Sequence, residues 1–429
     1  MRILMVLDKP YPPDLRVENE VRSLQRAGHE VAVLSLSPER EAEPGREPLP
    51  ESPQPVGTRD TLQSAAAPPP AASARPEAHV FRRRVARNAV HWMRGLAATI
   101  PVLTWFGARE IERVARRFNP DVIHVHDLYL AGAGVRAARR LGAGLVVDLH
   151  EHWLEVLDDY RWSTGFPRRL IVGRRRWRAA ARRWLPAADA VVVINEEMAT
   201  EYAACSVSRD RLVPVPNLVD LDGYGEWAPD AARVAELAER PVVLYVGGLV
   251  PNRGLDLAIR ALPAIAAQVR GAELVIVGDG TERAALEALA ESIGAPVRFA
   301  GWVDPTEIPS WIHGSSVCIH PMRRTRQTDL ALSHKLFQYM LAERPVVVTD
   351  CPAMARVVRD AECGIVVAGG DQAAFSDAVA GLLLDPARAA RLGAAGRRAV
   401  LDRYHWERGV QPLVVAYAAL AGRRGTNRT

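Results

Sequence analysis

Residues 333–350 read Ser-His-Lys-Leu-Phe-Gln-Tyr-Met-Leu-Ala-Glu-Arg-Pro-Val-Val-Val-Thr-Asp. The stretch predicts a helix carrying Lys335 in its first turn and Gln338 one turn later, then a buried strand over 346–349. A spacing of three puts both polar side chains on one helical face. A polar loop, residues 323–332, leads into the helix and offers backbone donors. An ammonium aimed at a diphosphate and an amide aimed at ribose hydroxyls would suit such a face. An amphipathic helix with solvated polar residues has the same pattern.

The helix-then-strand unit repeats in both directions. Upstream, strands are expected at 242–246, 274–277, 297–300 and 317–320, separated by helices throughout. Further upstream lies a similar series, with strands at 2–7, 30–36, 122–125, 145–148 and 190–194. Alternation of this kind builds parallel sheets with helices on both faces. A helix with Ile111, Val114, Ala115 and Phe118 on one face precedes the strand at 122–125, and an arginine-rich helix covers about 168–185. Residues 214–220, Pro-Val-Pro-Asn-Leu-Val-Asp, read as a linker. Ten of the 31 prolines fall between Pro38 and Pro76, a density that forbids regular structure, so 38–80 is expected to be a disordered insertion. The division is therefore 1–215, 216–404, and a tail, 405–429, whose helix crosses back to the first domain.

A chain of 429 residues with 48% apolar and 24% charged composition fits two α/β domains. It opens on a strand pattern with no signal peptide, and the weakly polar run 95–108 is too short to span a membrane. The cysteines (Cys205, Cys318, Cys351, Cys363) have no metal-binding spacing and imply a reduced, cytoplasmic chain. Of the 55 basic residues only Lys9 and Lys335 are lysines. Because an ammonium is not equivalent to a guanidinium, both positions stand out.

The second series opens with Leu-Tyr-Val-Gly247-Gly248-Leu-Val-Pro-Asn-Arg253-Gly254. A glycine turn followed by a cation at a helix start favours an anion, although a plain turn with a solvated arginine also fits. Gly278-Asp-Gly280 is a second close-approach turn at the carboxyl edge of the sheet, where ligands of open α/β folds bind. Neither turn completes a dinucleotide fingerprint, so no redox cofactor is expected. Gly301-Trp302-Val303 could hold a nucleobase, and core packing explains it equally well.

Taken in order, these pieces resemble glycosyltransferase family 4, whose fold is GT-B: two Rossmann-like domains with parallel sheets facing an interdomain cleft. The resemblance covers almost the whole chain. It includes Arg16 in Pro-Pro-Asp-Leu-Arg-Val, the strand end His-Val-His126-Asp127, the segment Asp148-Leu-His150-Glu151, and Asn217. It implies a retaining transferase that moves a sugar from a UDP- or GDP-linked donor to an acceptor hydroxyl. It also implies a donor site in the C-terminal domain and an acceptor site in the N-terminal one. His150 falls where the family keeps a cleft histidine touching the donor sugar, and Arg253 and Lys335 would stabilise the departing diphosphate without a metal. Gly247, Gly248, Gly278, Gly280, Trp302, Val303, Leu330 and Gln338 would line the donor site. Lys9, Arg16, His126, Asp127 and Glu151 would line the acceptor side.

Three positions depart from the family pattern. Gly248 replaces a frequent arginine, whose charge Arg323, Arg324 or Lys335 could supply. Leu330 and Gln338 replace a pair of glutamates. Lys9 and Arg16 stand in a loop that usually carries a Gly-Gly pair. Two other readings stay open: a nucleotide-sugar hydrolase or epimerase that uses no acceptor, and a non-catalytic partner subunit of the same fold. Five arginines between Arg82 and Arg94, and eight between Arg168 and Arg183, carry no intervening acid. They suggest peripheral contact with an anionic inner-membrane face. No nucleic-acid recognition motif accompanies them.

Overall fold

Strands of a parallel sheet are covered on both faces, and most of the thirteen described strands are apolar runs that meet that demand. The first sheet contains β1 (Arg2–Leu7), β2 (Glu30–Pro38), β3 (His79–Val85), β4 (Val122–His126), β5 (Gly144–Leu149), β6 (Ala190–Val193) and β7 (Leu212–Pro214). The second contains β8 (Val242–Val246), β9 (Glu273–Val277), β10 (Val297–Gly301), β11 (Val317–His320), β12 (Val346–Thr349) and β13 (Gly364–Val367). The structure is a computed structural model that describes residues 1–11, 14–38, 78–85, 94–156, 173–225 and 227–426.

All strand pairings in both sheets are parallel. The first sheet runs β3-β2-β1-β4-β5-β6-β7 and the second β10-β9-β8-β11-β12-β13. The chain reverses its direction of growth between β1 and β4, and again between β8 and β11. At such switch points the loops at the carboxyl ends diverge and leave a crevice. Each sheet separates two apolar layers: Ile123, Val125 and Val147 face one way in the first while Met5, Val122 and Val146 face the other. Leu244 and Val348 oppose Tyr245 and Val347 in the second.

Three strands were not legible as strands. β3 lies where a basic segment was expected, and it pairs with β2 through Ala32–His79, Val33–Val80 and Leu34–Phe81. Its arginines sit on an edge strand, where charge discourages further pairing. The expected insertion therefore stops short of His79; residues 39–77 lie outside the described residues. β7 occupies the start of the expected linker, and β13 is four residues long, opening on Gly364.

The helix Gln411–Thr426 lies against the first sheet, with Leu413, Tyr417 and Leu420 in the same layer as Ile3, Met5 and Val21. Trp406 enters this layer too, its indole donating to Ser23 Oγ at 3.0 Å. At the turn into this tail, Val219 bridges His405. Leu413→Ala should lower stability by about 2–5 kcal/mol, since Leu413 is fully buried. A thermal melt checks this, and an unchanged midpoint would show that the tail does not support the first sheet.

Candidate functional site

The carboxyl end of β5 delivers Asp148 and then His150. Asp148 is fully buried and receives a two-pronged guanidinium from Arg16, Nε to Oδ2 at 3.1 Å and Nη2 to Oδ1 at 3.0 Å. Arg16 sits in the first turn of the helix Leu15–Arg26, which Asp14 caps by accepting from Val17 N–H. Its Nη1 also donates to the Val215 carbonyl at 3.0 Å and to Asn217 Oδ1 at 2.6 Å. One guanidinium thus ties a helix, a strand end and the connection between the two lobes. Burial opposes ionisation of Asp148, but Arg16 and His150 overcome it and hold the carboxyl well below its usual range.

His150 Nε2 lies 3.0 Å from Asp148 Oδ2 and 2.8 Å from His126 Nδ1. Both contacts use the same ring nitrogen, so the other faces away from the carboxylate. Burial disfavours the imidazolium, yet Asp148 outweighs it and raises the His150 pKa. His126 is driven the other way, by burial first, and stays neutral at ordinary pH. The pair therefore presents one chargeable ring and one neutral one.

Around the β1–β4 crevice the remaining residues are mutually engaged. Lys9 pairs with Asp14. Asp127 adopts a left-handed backbone, φ 70°, and its carboxylate lies 2.9 Å from the Tyr129 hydroxyl. That hydroxyl is also 2.8 Å from Asp8, which binds Arg94 Nε at 2.6 Å. Glu151, next to His150, is solvent-exposed but flanked by protein. Burial first and Asp127 second raise its pKa, while His150, Lys9 and Arg253 pull it down. Arg253 belongs to the second lobe, so its field reaches the residue beside His150.

Across the cleft, β8 is followed by Gly247, whose φ of 133° excludes ordinary L side chains. A Cβ there would strike the Lys335 ammonium. Lys335 projects from the first turn of the helix His334–Leu341 and donates to the Tyr245 hydroxyl at 3.1 Å, lying 4.2 Å above that ring's centroid. The Tyr245 hydroxyl in turn donates to the Gly248 carbonyl at 3.0 Å. Burial, and next the nearby Arg253, push the Lys335 pKa well below the usual lysine range. Arg253 Nε is buried without a hydrogen-bond partner. It ends the short turn Pro251–Arg253, and Gly254, with φ 65°, starts the helix Leu255–Gln268, which has no side-chain cap. Among the described residues neither cation has a carboxylate partner. Two opposing cations beside an uncapped helix start have the character of a site for a multiply charged anion.

Other expected positions divide. The space a side chain would take at Gly278 is filled by the Gly247 carbonyl, and at Gly280 by the Leu249 carbonyl. These glycines let two loops touch. Trp302 is 54% exposed, while Val303 packs against the core of the second lobe. Gln338, one turn beyond Lys335, is buried. The Leu330 carbonyl accepts from Asn195 Nδ2 of the first lobe at 2.7 Å. Arg323 and Arg324, the suggested stand-ins for a missing arginine, are spent on Asp256 and on Asp329 with Asp350. Lys335 has no such ion pair among the described residues. Tyr245 and His320 escaped the sequence reading because both lie inside apolar runs. Neither His320 nitrogen has a partner, and burial with Lys335 and Arg253 nearby holds that ring neutral.

Residues 15–222 match the family described as Glycosyltransferase Family 4, and residues 240–385 match Glycosyl transferases group 1. A relative from Mycolicibacterium smegmatis, a GDP-mannose-dependent alpha-(1-6)-phosphatidylinositol monomannoside mannosyltransferase, is 34% identical over 278 residues. That match spans 63% of this chain and 69% of the relative. Among solved structures, the sucrose-phosphate synthase of Thermosynechococcus elongatus superposes with a TM-score of 0.71 at 18% identity, covering 99% of this chain and 100% of its own. The Anabaena HepE protein in complex with UDP gives 0.67 at 15% identity, covering 98% and 100%.

Asp148→Asn should cost about 3–5 kcal/mol by stranding the buried Arg16 charge. His150 adds a second, pH-dependent signature. Its raised pKa stabilises the fold fully below the ordinary histidine range, and that contribution is lost as pH rises through the raised value. The melting difference between wild type and His150→Asn should therefore shrink on going alkaline, and a flat difference would contradict the Asp148 contact.

Proposed function

The chain belongs to glycosyltransferase family 4 and is a GT-B glycosyltransferase, and from that premise we propose a retaining, metal-independent transferase whose donor diphosphate docks on Arg253 and Lys335. The unpaired cations carry this reading. Among the described residues each lacks a carboxylate partner, each is held near the other, and a diphosphate resolves both problems at once. On this reading residues 216–404 bind the nucleoside-diphosphate sugar, GDP- or UDP-linked, and 1–215 bind the hydroxyl acceptor. The tail from 405 crosses back to the acceptor side. His150 and His126 face the transferred sugar from the opposite wall, with Glu151, Asp127 and Lys9 around the acceptor.

In the transfer step the bond from the anomeric carbon to the phosphate oxygen breaks, and its electron pair leaves with the diphosphate. The acceptor oxygen forms the new bond on the same face, and its proton passes to the departing phosphate. Arg253, Lys335 and the start of the helix Leu255–Gln268 meet the charge that develops on the leaving group, which is where preorganised cations contribute most. Burial makes the Lys335 ammonium costly in the empty cleft, so donor binding should restore its proton.

Arg253→Ala should lower kcat by about 100- to 1000-fold, and Lys335→Met should also weaken nucleotide binding. Calorimetric titration with GDP and UDP, followed by NMR of the product anomer, tests the whole reading. Undiminished turnover in Arg253→Ala, or inversion at the anomeric carbon, would remove it.

We also propose peripheral attachment to anionic lipid. The helix Arg174–Trp184 turns Trp177, Ala180 and Ala181 inward and holds Arg175, Arg176, Arg178, Arg182 and Arg183 outward, with no acid in the helix. On a neighbouring helix Val102 and Trp105 are exposed, 57% and 38%. Gly132 lies between the two helices, where an added Cβ would meet both Thr104 and Trp184. The other basic stretch contributes less, since Arg94 is committed to Asp8. No described helix is long and apolar enough to cross a membrane. Replacing Arg175, Arg178 and Arg182 by Ala should weaken binding to phosphatidylserine vesicles by about 1 kcal/mol per arginine. Salt-insensitive co-sedimentation of the wild type would count against lipid attachment.

A further inference from the structure

Behind His150 lies a polar cluster that the transfer step leaves unused. Glu20, His124, His126 and Asp148 are all buried, and one ligating atom of each lies within 4.8 Å of the others. Glu20 comes from the helix Leu15–Arg26, the histidines from β4 and Asp148 from β5. Neither Glu20 oxygen has a hydrogen-bond partner, and His124 Nε2 and His126 Nε2 have none. Asp148, by contrast, accepts from Arg16 at both oxygens and shares Oδ2 with His150. The two carboxylates thus face each other with one guanidinium between them, Arg16 Nε lying 3.1 Å from Glu20 Oε1. Hydrogen-bond geometry is satisfied only toward Asp148. A second buried negative charge is left with no donor of its own, an arrangement buried carboxylates do not tolerate in ionised form.

The donor set would also suit a divalent metal, but the Arg16 guanidinium already fills the place of a positive charge. A proton fits where a second cation does not. We propose that Glu20 is carried as the carboxylic acid, donates a hydrogen bond to Asp148, and through Asp148 acts as a positioning residue for His150. The shared proton lets Asp148 serve Arg16 and His150 together without two bare carboxylates meeting in the core. The remaining groups facing Glu20 agree. Asp14 on its own side and Asp148 on β5 both favour its proton, while Arg16 opposes it, and burial dominates in raising its affinity. His124, from β4, is held neutral by burial, with Nε2 3.9 Å from Glu20 Oε2. On the far side the Tyr417 hydroxyl, from the C-terminal helix, lies 2.9 Å from His124 Nδ1.

The functional half of this proposal rests on His150 facing the donor, whereas the protonation half can be read without any activity. A carboxyl that binds its proton more tightly when folded costs stability as pH rises above the ordinary carboxylate range. Glu20→Gln keeps an N–H donor for Asp148 and removes that cost. Its melting midpoint relative to wild type should be about equal near pH 4 and rise steadily toward pH 8. Turnover at neutral pH should stay within about threefold, whereas Glu20→Ala should lose more than tenfold. A Glu20→Gln deficit that is constant, or that shrinks on acidification, would mean an ionised Glu20 paired with Arg16 and would overturn the proposal. So would a Zn²⁺-induced rise in midpoint that Glu20→Gln abolishes. If Glu20→Gln fails to fold, infrared spectra of protein with ¹³C-labelled glutamate decide. A carboxylic-acid band persisting at about pH 8 in the Glu151→Gln background supports the proposal, and its absence sinks it. Normal protonation signatures with unchanged turnover in Glu20→Ala would remove only the link to His150.

Discussion

Asp148 is a charged group placed where water cannot reach it, and the architecture of the first lobe follows from satisfying it. A buried carboxylate must find donors or lose its charge. Here the donors come from elements far apart in sequence: Arg16 from the first helix and His150 from the loop beyond the strand. Arg16 in turn holds the connection at Val215 and Asn217. Removing the carboxylate would therefore loosen a helix, a cleft histidine and the hinge region together.

The second lobe solves the opposite problem. Among the described residues Arg253 and Lys335 lie near each other without a carboxylate partner, and these surroundings disfavour the Lys335 ammonium. Tyr245 makes this tolerable. Its ring face and hydroxyl give the Lys335 ammonium a soft resting place, and a cation over an aromatic face gains about 0.5–2 kcal/mol. Gly247 must lack a side chain because the ammonium lies where one would be. The departures at Leu330 and Gln338 take on a clearer meaning. Leu330 accepts from Asn195 through its main-chain carbonyl, a bond that does not depend on its side chain.

Much of this was readable from residue order. Strands buried on both faces leave continuous apolar runs, so 242–246, 317–320 and 346–349 matched β8, β11 and β12. Edges were harder. β3 carries three arginines and β13 opens on glycine, and both owe their strand state to a neighbour. Lys335 stood out through the scarcity of lysine. Tyr245 did not, because a phenol inside Leu-Tyr-Val looks like ordinary core. Glu20 left a signal that periodicity could have caught: it falls three residues after Val17 and four before Leu24, on the inward stripe of its helix. An acid on that stripe needs an account, and only the fold shows that the account is Asp148.

Several polar contacts join the two lobes. Arg356 grips Glu197 with two bonds of 2.8 and 3.1 Å, Arg326 reaches Glu155 and Glu201, and Asn195 holds the Leu330 carbonyl. The arginines of these clasps are exposed, so dissolved ions compete with them. On the proposed reading a spent nucleotide leaves only when these contacts part. Ionic strength would then govern how fast the lobes separate.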